Sequence, residues 1–165
     1  MALGDITNLA TRKHAVSRSI CPENPTGGKG KGAMAEIAEG DSGHPARDLG
    51  KGWKVSPCIS IPAHTTVTIA SISEPGCINH IWVTLTGTWR STILRAYWDD
   101  EEKPSIESPV GDFFCSGWNR YSQVSSLAVC VNPANGFKSI SQNSEMAPKK
   151  SWRMLQRRIF SAPRI

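Results

Sequence analysis

The residues best suited to chemistry in this sequence are carboxylates placed among glycines and aromatic rings. Asp112 lies within Val110–Phe114, between Gly111 and two adjacent phenylalanines. Because neighbouring Phe rings bury their surroundings, Asp112 is expected either to accept hydrogen bonds from backbone N–H groups or to bind a ligand. Glu23 and Glu107 are further candidates. Carboxylates about 5–5.5 Å or 6.5–9.5 Å apart can hydrolyse glycosidic bonds, but nothing in the sequence brings two of these together.

Other motifs predict no cofactor. The glycine-rich stretch Thr26–Gly32 is followed by Ala and Met instead of the Ser or Thr of a phosphate loop, and no strand precedes it. It is therefore expected to be a flexible loop at the rim of a site. The acidic run Asp99–Glu102 lacks the spaced ligands of a calcium loop and predicts a solvated turn. No metal-ligand spacing relates the four histidines, which are His14, His44, His64 and His80.

The net charge of +5 is confined to the end of the chain. Residues 1–137 hold twelve basic and thirteen acidic side chains, whereas residues 138–165 hold seven basic side chains and one acidic one. A nucleic-acid-binding surface needs basic side chains spread over the folded part. We therefore expect no nucleic-acid partner.

The cysteines and the hydropathy predict a cytoplasmic protein without a membrane partner. The five cysteines form no Cys-x-x-Cys pair, which argues against a disulfide scaffold or a zinc site. No apolar run approaches the ~18 residues of a membrane span, and residues 1–11 lack the basic region of a signal peptide.

The chain after residue 52 predicts an all-β fold. Residues 1–52 form an N-terminal segment with a loop rich in Gly, Pro and Lys. Short strand-forming runs follow, separated by turns, and this spacing is typical of a β-sandwich or jelly roll. The runs are Lys54–Ile61, Thr66–Ile72, Cys77–Gly87, Thr92–Asp99, Val124–Val131 and, more weakly, Ser105–Glu107.

The third and fourth runs are expected to pair as a hairpin. Since side chains alternate between the two faces of a strand, one face would be aliphatic core, formed by Ile81, Val83, Leu94 and Trp98. The opposite face would gather side chains suited either to a sugar or to a second domain, namely His80, Trp82, Arg95 and Tyr97.

Several long motifs resemble those of one family. These motifs are Glu74–Trp82, Leu94–Asp99, Pro104–Phe114, Ser125–Leu127, and Asn132–Pro133 followed by Gly136–Phe137. On these residues the chain is identified as a member of glycoside hydrolase family 172, also called domain of unknown function 2961. The family includes difructose-anhydride synthase/hydrolase, α-D-fructofuranosidase and D-arabinofuranosidase activities.

The resemblance implies a fold and a mechanism. Family members have two jelly rolls, of which this chain would supply the first, and they assemble as trimers or hexamers. They retain the anomeric configuration with two glutamates and need no metal. Both glutamates lie in the second half of family members, so no catalytic residue is assigned here and the chain is expected to be an inactive fragment. The alternative is a non-enzymatic module for carbohydrate binding or assembly.

The resemblance also implies a furanoside-binding loop. The stretch Cys21–Lys29 corresponds to a family motif that lines the sugar pocket, with Asn24 where the family has a carboxylate and Lys29 where it has Asn. This departure puts the furanoside specificity in question. The expected substrate-binding residues are Glu23, Asn24, Thr26, Gly27 and Asp112.

Residues 138–165 depart from the family pattern. They lack its aromatic-rich strand, and the basic charge begins at the same point. A frameshifted or truncated reading frame would explain both observations, and a genuine basic tail is the alternative. This segment is expected to be mobile, or to form an isolated helix around Ser151–Phe160.

Overall fold

The computed structural model of the chain describes residues 16–37, 46–76, 78–132, 136–140 and 150–156, with the backbone alone for 138–140 and 150–156. Its strands are β1 (Thr65–Ile72), β2 (His80–Thr84), β3 (Thr92–Trp98), β4 (Ile106–Pro109), β5 (Val124–Ser125), β6 (Val129–Asn132), β7 (Gly136–Ile140) and β8 (Lys150–Gln156). A one-turn helix, α1 (Val110–Phe113), and a 3-10 turn, Gly117–Asn119, lie between β4 and β5.

The strands form two antiparallel sheets of four strands each. The order in the first sheet is β1-β8-β3-β4, and the order in the second is β2-β7-β6-β5. Strand β1 changes register between Thr68 and Ala70, which marks a bulge on this edge strand.

The hydrophobic core lies between the two sheets. Leu94 and Ala96 of β3 face Val131 of β6 and Phe137 of β7, and all four residues are buried. Half-buried side chains from both sheets surround this cluster, among them Ile69, Ile81, Val83, Trp98, Ile106 and Val129. Since each sheet covers the apolar face of the other, the structure confirms an all-β sandwich. The jelly-roll topology stays a prediction.

The expected hairpin of β2 and β3 is wrong. Strand β2 pairs with β7 in one sheet, whereas β3 pairs with β4 and β8 in the other. The aliphatic side chains of the two strands still meet, because they approach across the sandwich instead of along one sheet. The predicted polar face is consequently divided, with Trp82 on one sheet and Tyr97 on the other.

Two further strand predictions also need correction. Residues 54–61 form no strand, although Val55 is completely buried. The run Val124–Val131 is two strands, because Ser126 closes a turn onto Val129. The backbone N–H and the hydroxyl of Ser126 both donate to the Val129 carbonyl, at 2.9 Å each. The acidic turn is confirmed, since all four residues of Asp99–Glu102 are exposed.

The C-terminal segment contributes two strands to the sandwich. Strand β8 lies inside the first sheet and pairs along its whole length with both β1 and β3. The helix expected around Ser151–Phe160 is therefore wrong for residues 150–156. An isolated helix of about ten residues is marginal in water, whereas β8 satisfies its backbone groups on both sides. The frameshift hypothesis stays a prediction.

Two further expectations concern membrane spans and the N-terminal segment. Within the described ranges, no helix is long and apolar enough to cross a membrane. The N-terminal segment before Val16 lies outside the described residues.

Deletion of residues 150–165 should abolish cooperative unfolding. The deletion opens the first sheet between β1 and β3, and the net stability of a domain is only about 5–15 kcal/mol. Deletion of 157–165 is the matched control, because it leaves β8 intact. Urea denaturation followed by circular dichroism measures both variants. An unchanged transition after the longer deletion would contradict the central position of β8.

Candidate functional site

Asn24 holds together the loop that sequence analysis assigned to substrate. Its side-chain amide donates to the Gly28 carbonyl at 2.9 Å, and its side-chain oxygen accepts from the Gly28 N–H at 3.0 Å. Its backbone exchanges hydrogen bonds with Cys21. Asn24 is only 6% exposed. The structure therefore uses both polar atoms of the Asn24 side chain to close the loop.

Glu23 connects this loop to the segment before β1. One carboxylate oxygen, Oε1, accepts from the backbone N–H groups of Val55 at 2.8 Å and Ser56 at 2.5 Å. The other oxygen, Oε2, is buried and has no hydrogen-bond partner among the described residues. Glu23 thus satisfies two backbone donors that would otherwise be unpaired.

Thr26 and Gly27 complete the loop in different ways. Thr26 is exposed, so its hydroxyl is open to a ligand. Gly27 is buried with φ at +64°, and a Cβ there would lie 3.2 Å from Ile20 Cγ1. The left-handed backbone and the close neighbour both favour glycine.

Asp112 lies on the one-turn helix α1. The helix is anchored by Phe114, whose ring is completely buried and stacks on Phe137 at a centroid distance of 5.3 Å. Asp112 Oδ2 accepts from the Arg90 guanidinium at 2.8 Å. Its Oδ1 is buried and without a partner among the described residues. Of the two roles expected for Asp112, backbone acceptance is not the one observed, since its described partner is a cation.

A strained turn after α1 presents an aromatic ring beside this ion pair. Cys115, Trp118 and Asn119 all have positive φ, between +54° and +64°. The Asn119 side-chain oxygen accepts from the backbone N–H of Trp89 at 2.8 Å, which fixes the turn against the β2–β3 loop. Arg90 lies over the Trp118 ring, 4.9 Å from its centroid. We call Arg90, Asp112 and Trp118 the Trp118 surface.

Two polar groups are buried beneath this surface. Trp89 Nε1 and Ser116 Oγ have no hydrogen-bond partner among the described residues. Both residues are at least nine-tenths buried. The Ser116 backbone N–H donates to the Gly111 carbonyl at 2.7 Å, so the turn closes tightly upon α1. Buried polar groups of this kind are commonly satisfied by ordered water.

The remaining candidates do not join either group. Glu107 pairs with Arg95 across β4 and β3, with 2.6 Å between nitrogen and oxygen. Trp82 is 53% exposed on β2, an edge strand of the other sheet. Within the described ranges, no group of three His, Cys, Asp or Glu side chains could hold a metal ion.

The structure therefore divides the predicted site residues into two groups. Glu23, Asn24, Thr26 and Gly27 share one loop, and Asp112 lies in the Trp118 surface. No described hydrogen bond or ion pair joins the two groups. Sequence analysis missed Arg90 and Trp118 because neither belongs to a recognisable motif. The available signal was that Trp89 and Trp118 each closely follow a glycine in a turn-forming stretch.

Comparison with known protein families identifies the chain. A family model described as GH172 domain-like matches residues 55–138, which is half of the chain. The chain belongs to glycoside hydrolase family 172. A comparison with curated proteins gives no match.

The match to glycoside hydrolase family 172 covers one of the two groups. It begins at Val55, whose N–H binds Glu23, and it includes Arg90, Asp112 and Trp118. The loop Cys21–Lys29 precedes the matched residues. The Trp118 surface is consequently part of the family domain, and the binding role of Glu23, Asn24, Thr26 and Gly27 stays a prediction.

Gly111→Ala should lower the free energy of unfolding by about 3 kcal/mol, because an added methyl group overpacks a position whose neighbours cannot move. The new Cβ would lie 2.7 Å from the Ser116 backbone oxygen. Gly117→Ala is the matched control, since its Cβ would lie an ordinary 3.8 Å from Asp112 Oδ1. It should change stability by less than about 1 kcal/mol. Equal unfolding midpoints in urea would contradict the described closure of the turn.

Glu23→Ala should cost about 2–4 kcal/mol, because two backbone donors lose their acceptor. Glu23→Gln should cost less than about 1.5 kcal/mol, since an amide oxygen can still accept both bonds. Glu36→Ala is the control, because Glu36 is an exposed partner of Lys51. Chemical denaturation measures all three variants, and equal losses for Ala and Gln at position 23 would argue against the Val55 and Ser56 contacts.

Proposed function

We propose that this chain is the N-terminal part of a glycoside hydrolase acting on furanosides, with fructofuranose or D-arabinofuranose linkages as substrates. The observation that carries the proposal is the family match over residues 55–138. The family resemblance supplies the furanoside class and a retaining mechanism. In that mechanism one glutamate attacks the anomeric carbon and the other protonates the leaving oxygen.

We assign no catalytic step to the described carboxylates. A retaining mechanism needs one carboxylate free to attack and a second that can carry a proton. Glu23 Oε1 is bound by two backbone N–H groups, Glu107 by Arg95, and Asp112 by Arg90. Each carboxylate is held in place by its hydrogen-bond donors, which restricts its movement. In this proposal the chain contributes binding groups and the glutamates of the reaction lie outside it.

The binding groups in this proposal are the exposed polar atoms of the two site groups. Thr26 supplies a hydroxyl on the loop that Asn24 closes. Asp112 supplies a carboxylate whose side chain is 29% exposed. Glu23 and Asn24 support the loop from within, and the positive φ of Gly27 allows its sharp bend.

A second candidate is a non-enzymatic module for carbohydrate binding or assembly. The pairing of all three candidate carboxylates favours it, because a binding module needs no free acid. We propose the trimer or hexamer of the family as the assembled form of such a module.

The purified chain should not hydrolyse difructose anhydride or D-arabinan, because the three candidate carboxylates, Glu23, Glu107 and Asp112, are each held by hydrogen bonds or an ion pair. Product release measured by chromatography tests this directly. Turnover that disappears in Glu23→Gln, Glu107→Gln or Asp112→Asn would contradict the proposal and assign the reaction to this chain. A full reading frame that includes both family glutamates is the positive control.

A further inference from the structure

The side chain of Trp118 is exposed and yet its backbone is fixed. It is 79% exposed, the highest value among the large hydrophobic residues described. Its φ of +59° and that of Asn119, +54°, are costly for residues other than glycine. The hydrogen bond from the backbone N–H of Trp89 to the Asn119 side-chain oxygen holds this conformation, and Trp89 itself is buried. The ring is therefore held at the surface by structure beneath it.

One face of the Trp118 ring is supported by a cation that is itself held. Arg90 lies over the ring at 4.9 Å, and its guanidinium is bound by Asp112 at 2.8 Å. The exposure of Trp118 leaves the opposite face to solvent. A ring fixed in this way loses little side-chain entropy on binding, so a ligand gains most of the contact energy.

We propose that the Trp118 surface is a carbohydrate-binding platform. A sugar ring stacks its C–H face on the open face of the Trp118 indole, where the aromatic quadrupole attracts C–H groups. The hydroxyl groups at the edge of the sugar bind Arg90 and Asp112, whose side chains are 45% and 29% exposed.

The chemistry of the surface favours a polyol over a planar ligand such as a nucleic-acid base. A hydroxyl both donates and accepts hydrogen bonds, and the surface offers donors on Arg90 beside an acceptor on Asp112. A nucleic acid would also stack on Trp118, but its phosphates need uncompensated positive charge. Asp112 neutralises Arg90 at the site.

This inference rests on the proposed function for the type of ligand, and it adds the residues that bind it. The test is therefore binding, which is separate from turnover. The full chain is titrated by calorimetry with inulin oligosaccharides and D-arabinan oligosaccharides as furanose probes. Cellohexaose is the pyranose probe, and oligothymidylate is the nucleic-acid probe.

Trp118→Ala should weaken furanose binding about tenfold or more, the size expected for loss of one stacked aromatic contact. Trp118→Phe should retain part of the affinity. Trp53→Ala is the matched control, because Trp53 is also exposed but lies before β1 and outside both site groups. It should leave binding unchanged. Thermal unfolding of each variant confirms that the fold is intact.

The outcomes separate the platform from the furanoside assignment. Binding of cellohexaose alone, lost in Trp118→Ala, supports the platform and overturns furanose as its ligand. Furanose binding that survives Trp118→Ala, or that falls equally in Trp53→Ala, overturns the platform and leaves the proposed function standing. Absence of binding to every saccharide, or binding of oligothymidylate through Trp118, also overturns the platform.

Discussion

The stacking of Phe114 on Phe137 is the contact on which the candidate site depends. Phe114 ends the segment that carries Asp112, and Phe137 belongs to β7 of the second sheet. Trp89 meets Phe137 edge-on at 5.3 Å and brings the β2–β3 loop to the same point. Three distant parts of the chain thus share one buried aromatic cluster. Because protein interiors are densely packed, a change in any of these rings is transmitted to the other two.

The two site groups depend on different interactions. The Asn24 loop, Cys21–Lys29, is closed by polar contacts, most of them within a few residues, and the Glu23 carboxylate connects it to the segment before β1. The Trp118 surface depends instead on the aromatic core, through Trp89 beside Arg90. Local hydrogen bonds can form without a complete core, whereas aromatic stacking requires both sheets to be in place. The loop and the Trp118 surface should therefore respond differently to destabilisation of the sandwich.

The sequence predicts the strands better than their partners. Period-two alternation correctly marks β1, whereas β3 is marked by its strand-forming residue types and is buried at four of its seven positions. The predicted pairing of β2 with β3 was wrong. Alternation shows which face of a strand is apolar, but it does not show whether two apolar faces belong to one sheet or to two facing sheets. Strand β8 was missed because its residues, Lys150–Gln156, are strongly polar and have helical spacing. Asp112 was found because it lies between a glycine and two phenylalanines. Trp118 was missed because its position depends on a left-handed backbone conformation, which its residue type does not predict.

The position of β8 also has a consequence for protein synthesis. Strand β1 leaves the ribosome some eighty residues before the strand that joins it to β3, so neither can complete its ladder in the meantime. Sheets with such distant pairings form slowly, and their unpaired edges attract other chains while they wait. Until residues 150–156 are synthesised, the edges of β1 and β3 that β8 pairs are therefore open to other chains.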